Sequence, residues 1–333
     1  MLRSLDLGAN GRLEELSCMS NPLTALDLGD NPELTKLYCA NCKLTSLDLS
    51  ANPKLTDLYC SDNGLTLLEI SNCTALTDLS CRFNSLASLD VSRATELRDL
   101  DCGYNETIAA LDLSRCKKLE RVDCAKNRIA ELDLSDNPLL VSVRCEQNAL
   151  TLLDVSGCTA LESLMCYGNE LAELRAGGLA VLDFLNCSQN RLPSLDLSDA
   201  VRLTTLSCNT NALTSLDVSH NTYLEYLDCG KNNITTLDLR NNPDLDASGL
   251  VCDSYVNVIW KCPSPPAALH GCRTKEAISA YGRGFSPAVR IVSGSPFRLA
   301  PCCGGAVPMP VCRSGRRGNG SGGPPRGVRR EKR

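Results

Sequence analysis

The sequence predicts a β-rich solenoid of about twelve 21-residue turns, with short parallel strands on two faces, followed by a disordered basic tail. Three observations carry this. Apolar residues recur at a fixed short period over residues 1–252, each period holds two apolar-x-apolar triplets, and only 4% of the 333 residues are aromatic while 21 are Cys. Self-similarity at such a period marks a stacked repeat, and a chain with so few rings does not fill one large core.

The period is read from LxxLDLS, which starts at Leu2, Leu23, Leu44, Leu65, Leu86, Ile108, Ile129, Leu150, Leu171, Leu192, Leu213 and Ile234. Every step is 21 residues except Leu86 to Ile108, which is 22. A unit such as residues 44–64 divides into LxxLDLSxNPx and LxxLxCxxNx. Alternation over three residues is the period-2 pattern of a short strand with two side chains inward and one outward, so each turn is predicted to carry two strands. The remaining residues are too few for a helix with its own connections. One turn buries too little apolar surface to offset the ordering of its backbone; stacking supplies the missing burial and strand hydrogen bonds.

Each further column of the repeat has its own logic. Asn21, Asn63, Asn84, Asn105, Asn127, Asn148, Asn169, Asn190, Asn211 and Asn232 occupy one position, with Cys42 replacing one member. An amide there satisfies turn backbone groups that would otherwise be buried unpaired. The equivalent position of the other half is looser, with Cys73, Cys116 and Cys158 among its Asn members. Eleven cysteines, from Cys18 to Cys229, share one inward position, where free Cys acts as a small hydrophobe. Strand spacing exceeds the Cβ separation a disulfide prefers, so these thiols are expected reduced, buried and inert.

With these residues in view, the pattern LxxLxCxxNxL resembles the leucine-rich-repeat superfamily, and its alternation of LDLS and LxC halves over residues 2–252 resembles the bacterial, 21-residue, internalin-like type. The resemblance implies a non-enzymatic protein-binding scaffold at the cell surface or secreted. The N-terminus itself, Met1-Leu2-Arg3-Ser4-Leu5, lacks the pattern of a secretory signal, so nothing there is expected to direct export.

The two outward surfaces differ. The middle residue of LDL is Asp6, Asp27, Asp48, Glu69, Asp90, Asp112, Asp133, Asp154, Arg175, Asp196, Asp217 and Asp238, an almost wholly acidic column. It is expected to solubilise the surface and to associate weakly with cations. The middle residue of LxC varies from turn to turn, and the aromatic residues of the repeats lie on or beside that half. Aromatic anchors among variable polar neighbours are the composition of an interface, so the candidate partner-binding residues are Tyr38, Tyr59, Phe83, Tyr104, Arg144, Met165, Tyr167, Phe184 and Tyr226. Residues 175–179, Arg-Ala-Gly-Gly-Leu, depart from the consensus and are expected to interrupt strand regularity.

Other function classes find less support. No apolar run approaches the roughly 20 residues that span a bilayer. His220 and His270, about fifty positions apart, are the only imidazoles, no acid/base or cofactor motif stands out, and neither a catalytic residue, a metal site nor a cofactor is expected. Charge is segregated: residues 1–252 hold 20 basic and 36 acidic side chains, residues 253–333 hold 14 and 3. The latter segment, rich in Pro, Gly and Arg, is expected to be mostly disordered, and its five cysteines lack zinc-site spacing. Anion or nucleic-acid binding through this tail is the alternative function, and an enzyme-linked effector a further one.

Overall fold

The structure, a computed structural model, describes residues 1–261; of the segment 253–333 expected to be mostly disordered, residues 262–333 lie outside them. The described residues contain short strands and turns and no helix, so none is long and apolar enough to cross a membrane.

Twelve parallel strands form one sheet: Glu15–Ser17, Lys36–Tyr38, Asp57–Tyr59, Asp78–Ser80, Asp99–Asp101, Arg121–Asp123, Ser142–Arg144, Ser163–Met165, Phe184–Asn186, Thr205–Ser207, Tyr226–Asp228 and Leu250–Val251. Each comes from an LxC half, and register is kept residue for residue, as in Leu37↔Leu58↔Leu79. The ladder opens one residue earlier than the LxC triplet suggests. In Asp57–Tyr59 only Leu58 points inward, so Asp57 and Tyr59 both face out. Backbone pairing still runs on through the buried cysteine, since Cys60 N donates to Ser80 O at 2.8 Å. The exposed face is therefore two columns wide, where the apolar-x-apolar pattern shows one.

Among the described residues the LDLS halves pair as strands in two places only, Leu152–Asp154 with Glu173–Arg175 and Thr236–Asp238 with Asn257–Ile259. Elsewhere the triplet is extended without a ladder. The aspartate turns that follow the triplet do not decide this, since Asp90 Oδ1 accepts from Ser92 N at 2.9 Å in an unpaired half and Asp154 Oδ1 from Ser156 N at 3.0 Å in a paired one. The stretch around Arg175 corrects the expected irregularity, because it is one of the few places where this half does pair. Arg175 replaces the column's carboxylate and reaches Asp154 of the neighbouring strand at 3.5 Å. The pairing also passes residue 252, where the period ends, since Asn257–Ile259 still buries Val258 and hydrogen-bonds to the preceding turn.

Between the faces lies one continuous core of leucines and cysteines, closed to solvent at Leu34, Leu55, Leu58, Leu76, Leu97 and Leu119. The sixteen cysteines of the described residues are all free and buried. Burial pushes the thiols of Cys60 and Cys187 up to about 12 and those of Cys73, Cys116 and Cys158 up to about 11. This agrees with inert, reduced thiols.

The asparagines bind turn to turn. Asn84 Nδ2 donates to Cys81 O at 2.9 Å in its own turn and to Cys60 O at 3.1 Å in the turn before, and its Oδ1 accepts from Leu65 N at 3.0 Å. Where Cys42 stands in for asparagine, its Sγ donates to Cys18 O at 3.1 Å, a weaker donor in the same place. The second, looser column repeats the donor half of this scheme: Asn52 Nδ2 reaches Asn31 O at 2.9 Å and Leu28 O at 3.2 Å, while its buried Oδ1 has no partner among the described residues. A residue at that position is thus asked to donate but not to accept. Cysteine meets that requirement, as Cys116 does with Sγ 3.6 Å from Val91 O.

The extra residue of the 22-residue turn is absorbed at Glu106 and Thr107. Glu106 adopts φ 63° and Thr107 Oγ1 donates to Leu86 O at 2.6 Å. In consequence the Oδ1 of Asn127, the next ladder member, is buried and unpaired.

Candidate functional site

The two outward columns of the sheet form the candidate site. The first runs Glu15, Lys36, Asp57, Asp78, Asp99, Arg121, Ser142, Ser163, Phe184, Thr205, Tyr226, and the second Ser17, Tyr38, Tyr59, Ser80, Asp101, Asp123, Arg144, Met165, Asn186, Ser207, Asp228. Parallel in-register pairing places like positions side by side at about 4.8 Å, so side chains of one column touch their neighbours in the next turn.

Tyr38 and Tyr59 stack face to face, with ring centroids 5.2 Å apart and planes at 21°. Beyond them an open groove of about 420 Å³ is walled by Tyr59, Asp78, Asp99, Asp101, Asp123, Arg82, Arg121 and Arg144. Its charges are mostly paired: Arg82 with Asp101 at 3.5 Å, Arg121 with Asp99 at 3.1 Å and Arg144 with Asp123 at 3.3 Å. Burial, then the neighbouring Asp123, pushes the Asp101 carboxyl above the usual carboxylate range. Arg144 is also held by Glu146, Nη2 to Oε1 2.7 Å, and Glu146 is almost wholly buried. The guanidinium is thus fixed in place by two carboxylates.

Phe83 and Tyr104 belong to a different part of the surface. They sit in the turn after the buried cysteine, at a position whose backbone is left-handed in nearly every turn, with φ 51° and 58°. Asn41, Asp62 and Gly168 suit that conformation, and a phenylalanine there is strained by comparison. The rings lie 4.3 Å apart at 41°, Arg82 stands 4.7 Å from the Phe83 centroid, and Lys126 Nζ stands 4.7 Å from that of Tyr104. Arg82 therefore joins this aromatic edge to the groove, since it also pairs with Asp101.

The remaining candidates are placed separately. Met165 is on the second column, Tyr167 directly after Cys166, and Phe184 and Tyr226 on the first column two strands apart, with Thr205 between them. The structure brings Tyr38 to Tyr59 and Phe83 to Tyr104, but sets Phe184 and Tyr226 at the other end of the sheet. Reading the triplet as LxC missed Asp57, Asp78, Asp99 and Arg121. Their signal was the residue before each inward leucine, which alternates with the second column and is polar in most turns.

On the opposite side, the acidic column is committed to its own backbone. Asp48, Asp90, Asp133, Asp196 and Asp217 each accept the N–H two residues on at 2.9 to 3.0 Å. Hydrogen bonds from that serine, its hydroxyl foremost at Asp90 and its N–H foremost at Asp48, hold the carboxyls below the usual range.

Comparison with known proteins agrees with this architecture. A profile described as Leucine Rich repeat matches residues 40–58. The functional domain of InlJ from Listeria monocytogenes, which includes a cysteine ladder, is 39% identical, with a TM-score of 0.65 over 74% of this chain. This chain is a leucine-rich-repeat protein of the 21-residue, internalin-like type. The leucine-rich-repeat chain spans 58% of the InlJ domain's length. It is similar in fold to an internalin, InlF, also from Listeria monocytogenes, at 18% identity and a TM-score of 0.55, covering 76% of this chain and 88% of that one. It is also similar to the plant peptide hormone receptor RGFR1 in complex with RGF2, at 23% identity and a TM-score of 0.60, covering 69% of this chain and 42% of the receptor. No curated protein matches the leucine-rich-repeat chain.

Proposed function

We propose that the chain is a non-enzymatic protein-binding scaffold that takes its partner on the exposed face of the twelve-stranded sheet, with Tyr38, Tyr59, Phe83, Tyr104, Arg144, Met165, Tyr167, Phe184 and Tyr226 as contacts. One observation carries the reading: the outward columns of the sheet change chemistry from turn to turn on a rigid, in-register frame, whereas the column on the other side is acidic in all but one turn and largely spent on backbone hydrogen bonds. Stacked tyrosines and clamped arginines lose little side-chain freedom on binding, which favours them as anchors. Leucine-rich repeats are in general protein-binding scaffolds, and the plant receptor of this fold is in complex with RGF2. The reading gives the binding role to the solenoid rather than to the basic segment beyond it.

The test is affinity capture with the full chain, comparing the unaltered protein, a face variant carrying Tyr38→Ala, Tyr59→Ala, Phe184→Ala and Tyr226→Ala, and a control carrying Tyr223→Ala and Leu139→Ala, two exposed residues away from the sheet. A partner held by the unaltered chain and the control but lost by the face variant is the expected result. Equal capture by the face variant would remove the face from the reading.

A further inference from the structure

We propose that the middle of the sheet face, around Asp78, receives a cationic side chain, arginine or lysine, carried by the protein partner. This rests on the reading of the face as a protein-binding surface and names the chemistry of what it binds.

Five successive strands place Lys36, Asp57, Asp78, Asp99 and Arg121 in direct register in the first column. Three carboxylates thus stand side by side between two cations. The end members of the acidic run are satisfied: Lys36 lies 3.4 Å from Asp57, and Arg121 lies 3.1 Å from Asp99. The middle one differs. Asp78 accepts from the Thr77 hydroxyl at 2.7 Å, and among the described residues no lysine or arginine pairs with it. Like charges directly adjacent across strands destabilise a sheet. The fold does not call for them, because the same column carries Ser142, Ser163, Phe184 and Thr205 in later turns. A missing cation between two supplied ones is the feature a partner would complete.

The surroundings suit a guanidinium or ammonium in particular. Asp78 and Tyr59 line the same groove, and Tyr59 is braced by its stack on Tyr38. The Tyr59 hydroxyl feels the acidic run: burial first, then the charges of Asp78 and Asp57, hold its pKa above the ordinary tyrosine value. An aromatic face beside a carboxylate offers a cation both a ring to lie on and an anion to pair with. The groove's other carboxylates, Asp101 and Asp123, have ion pairs with Arg82 and Arg144, whereas Asp78 has none among the described residues and feels only the more distant charge of Arg121.

The experiment selects random twelve-residue peptides displayed on phage against the full chain at low salt, and measures the recovered peptides against the unaltered chain, Asp78→Asn, Tyr59→Ala and the four-residue face variant. The expected result is peptides sharing an arginine or lysine, bound about tenfold more weakly by Asp78→Asn and more weakly still in high salt. Asp78→Asn should also raise the thermal midpoint of the free chain, since it removes repulsion from the carboxylate run; a residue with a structural role would lower it. Peptides weakened by Tyr59→Ala but indifferent to Asp78→Asn, or lacking any cationic residue, overturn the inference and leave the scaffold reading standing. Peptides indifferent to every face substitution overturn both. Binding abolished by millimolar calcium and equally strong for peptides with and without arginine or lysine would assign Asp78 to a metal ion and overturn the inference as well.

Discussion

Replacing Asn84 with alanine measures how much of the fold's stability runs through the asparagine ladder. The side chain donates to Cys81 O at 2.9 Å and Cys60 O at 3.1 Å and accepts from Leu65 N at 3.0 Å, all in a buried setting. Truncation leaves the Leu65 N–H with no acceptor, which costs about 1–3 kcal/mol. Each carbonyl keeps one amide donor, Asn63 at 2.9 Å for Cys60 and Asn105 at 3.3 Å for Cys81, so each loses a net contribution of about 0.5–1.5 kcal/mol. The sum is roughly 2–6 kcal/mol, a large share of the stability of an ordinary domain. Asn127→Ala provides the internal comparison. Asn127 donates to Cys124 O at 3.0 Å and Cys102 O at 3.1 Å, but its Oδ1 is buried without a partner because of the extra residue in the preceding turn. Its truncation orphans no N–H and removes an unpaired acceptor, so its cost should be smaller by about 1–3 kcal/mol. Urea unfolding followed by far-ultraviolet circular dichroism on the full chain reads both. Equal losses for the two variants, or a loss at Asn84 below about 0.5 kcal/mol, would refute the hydrogen-bond accounting.

Three further outcomes are expected. Leu58→Asp, at a position with no solvent exposure, should unfold the neighbouring turns, whereas Tyr38→Ala with Tyr59→Ala should leave the dichroism spectrum intact; a melt unchanged by Leu58→Asp would refute the core assignment. A water-soluble alkylating reagent at neutral pH, read by mass spectrometry of the digested chain, should leave Cys60, Cys102 and Cys187 unmodified until denaturant is added, and rapid labelling of these three under native conditions would contradict a dry interior. Acid should destabilise the chain: Asp90, Asp112 and Asp133 have folded values below their ordinary 3.8, so what they contribute is present above that pH and is lost as pH falls through the depressed values. Half-buried Asp101 and Asp228 act in the opposite sense, their carboxyls raised, so their protonation relieves a penalty first; a midpoint that rises steadily from pH 4 to pH 2 would contradict the role given to the column.

Much of the fold was legible because its information is local and repeated. Leu58 and Cys60 point inward in one turn for the same reason as Leu79 and Cys81 in the next, and a fixed period turns a weak three-residue signal into a strong one. Two features were not legible for physical reasons. Which halves pair as strands depends on inter-turn hydrogen bonds, which a sequence pattern does not contain; Asp90 and Arg175 look like a rule and its exception, yet it is the turn with Arg175 that pairs. The first outward column was hidden because polar residues before a leucine carry no periodic hydrophobic signal, so Asp57, Asp78 and Asp99 read as ordinary surface. Their importance comes from register, which places them beside one another although 21 residues separate each from the next.

The division of labour among columns explains how one repeat can hold its fold and still vary its surface. Interior leucines and thiols supply burial, the asparagines satisfy the turn carbonyls on one edge, and the aspartates of the LDL triplet satisfy N–H groups on the other. Of the two outward residues of the sheet strands, the first takes none of these tasks, and the second takes one only in some turns, where Asp101, Asp123, Asn186 and Asp228 accept the N–H two residues on. The first position is therefore released from the demands of folding, and the second in most turns, apart from the requirement that neighbours across the ladder not repel one another. At Arg144 that requirement is met with two carboxylate partners, and at Tyr38 and Tyr59 by ring stacking. At Asp57, Asp78 and Asp99 it is met only at the two ends. A surface otherwise free to avoid repulsion that retains it along Asp57, Asp78 and Asp99, and beside them at Asp101 and Asp123, is better explained by what approaches the surface than by what lies beneath it.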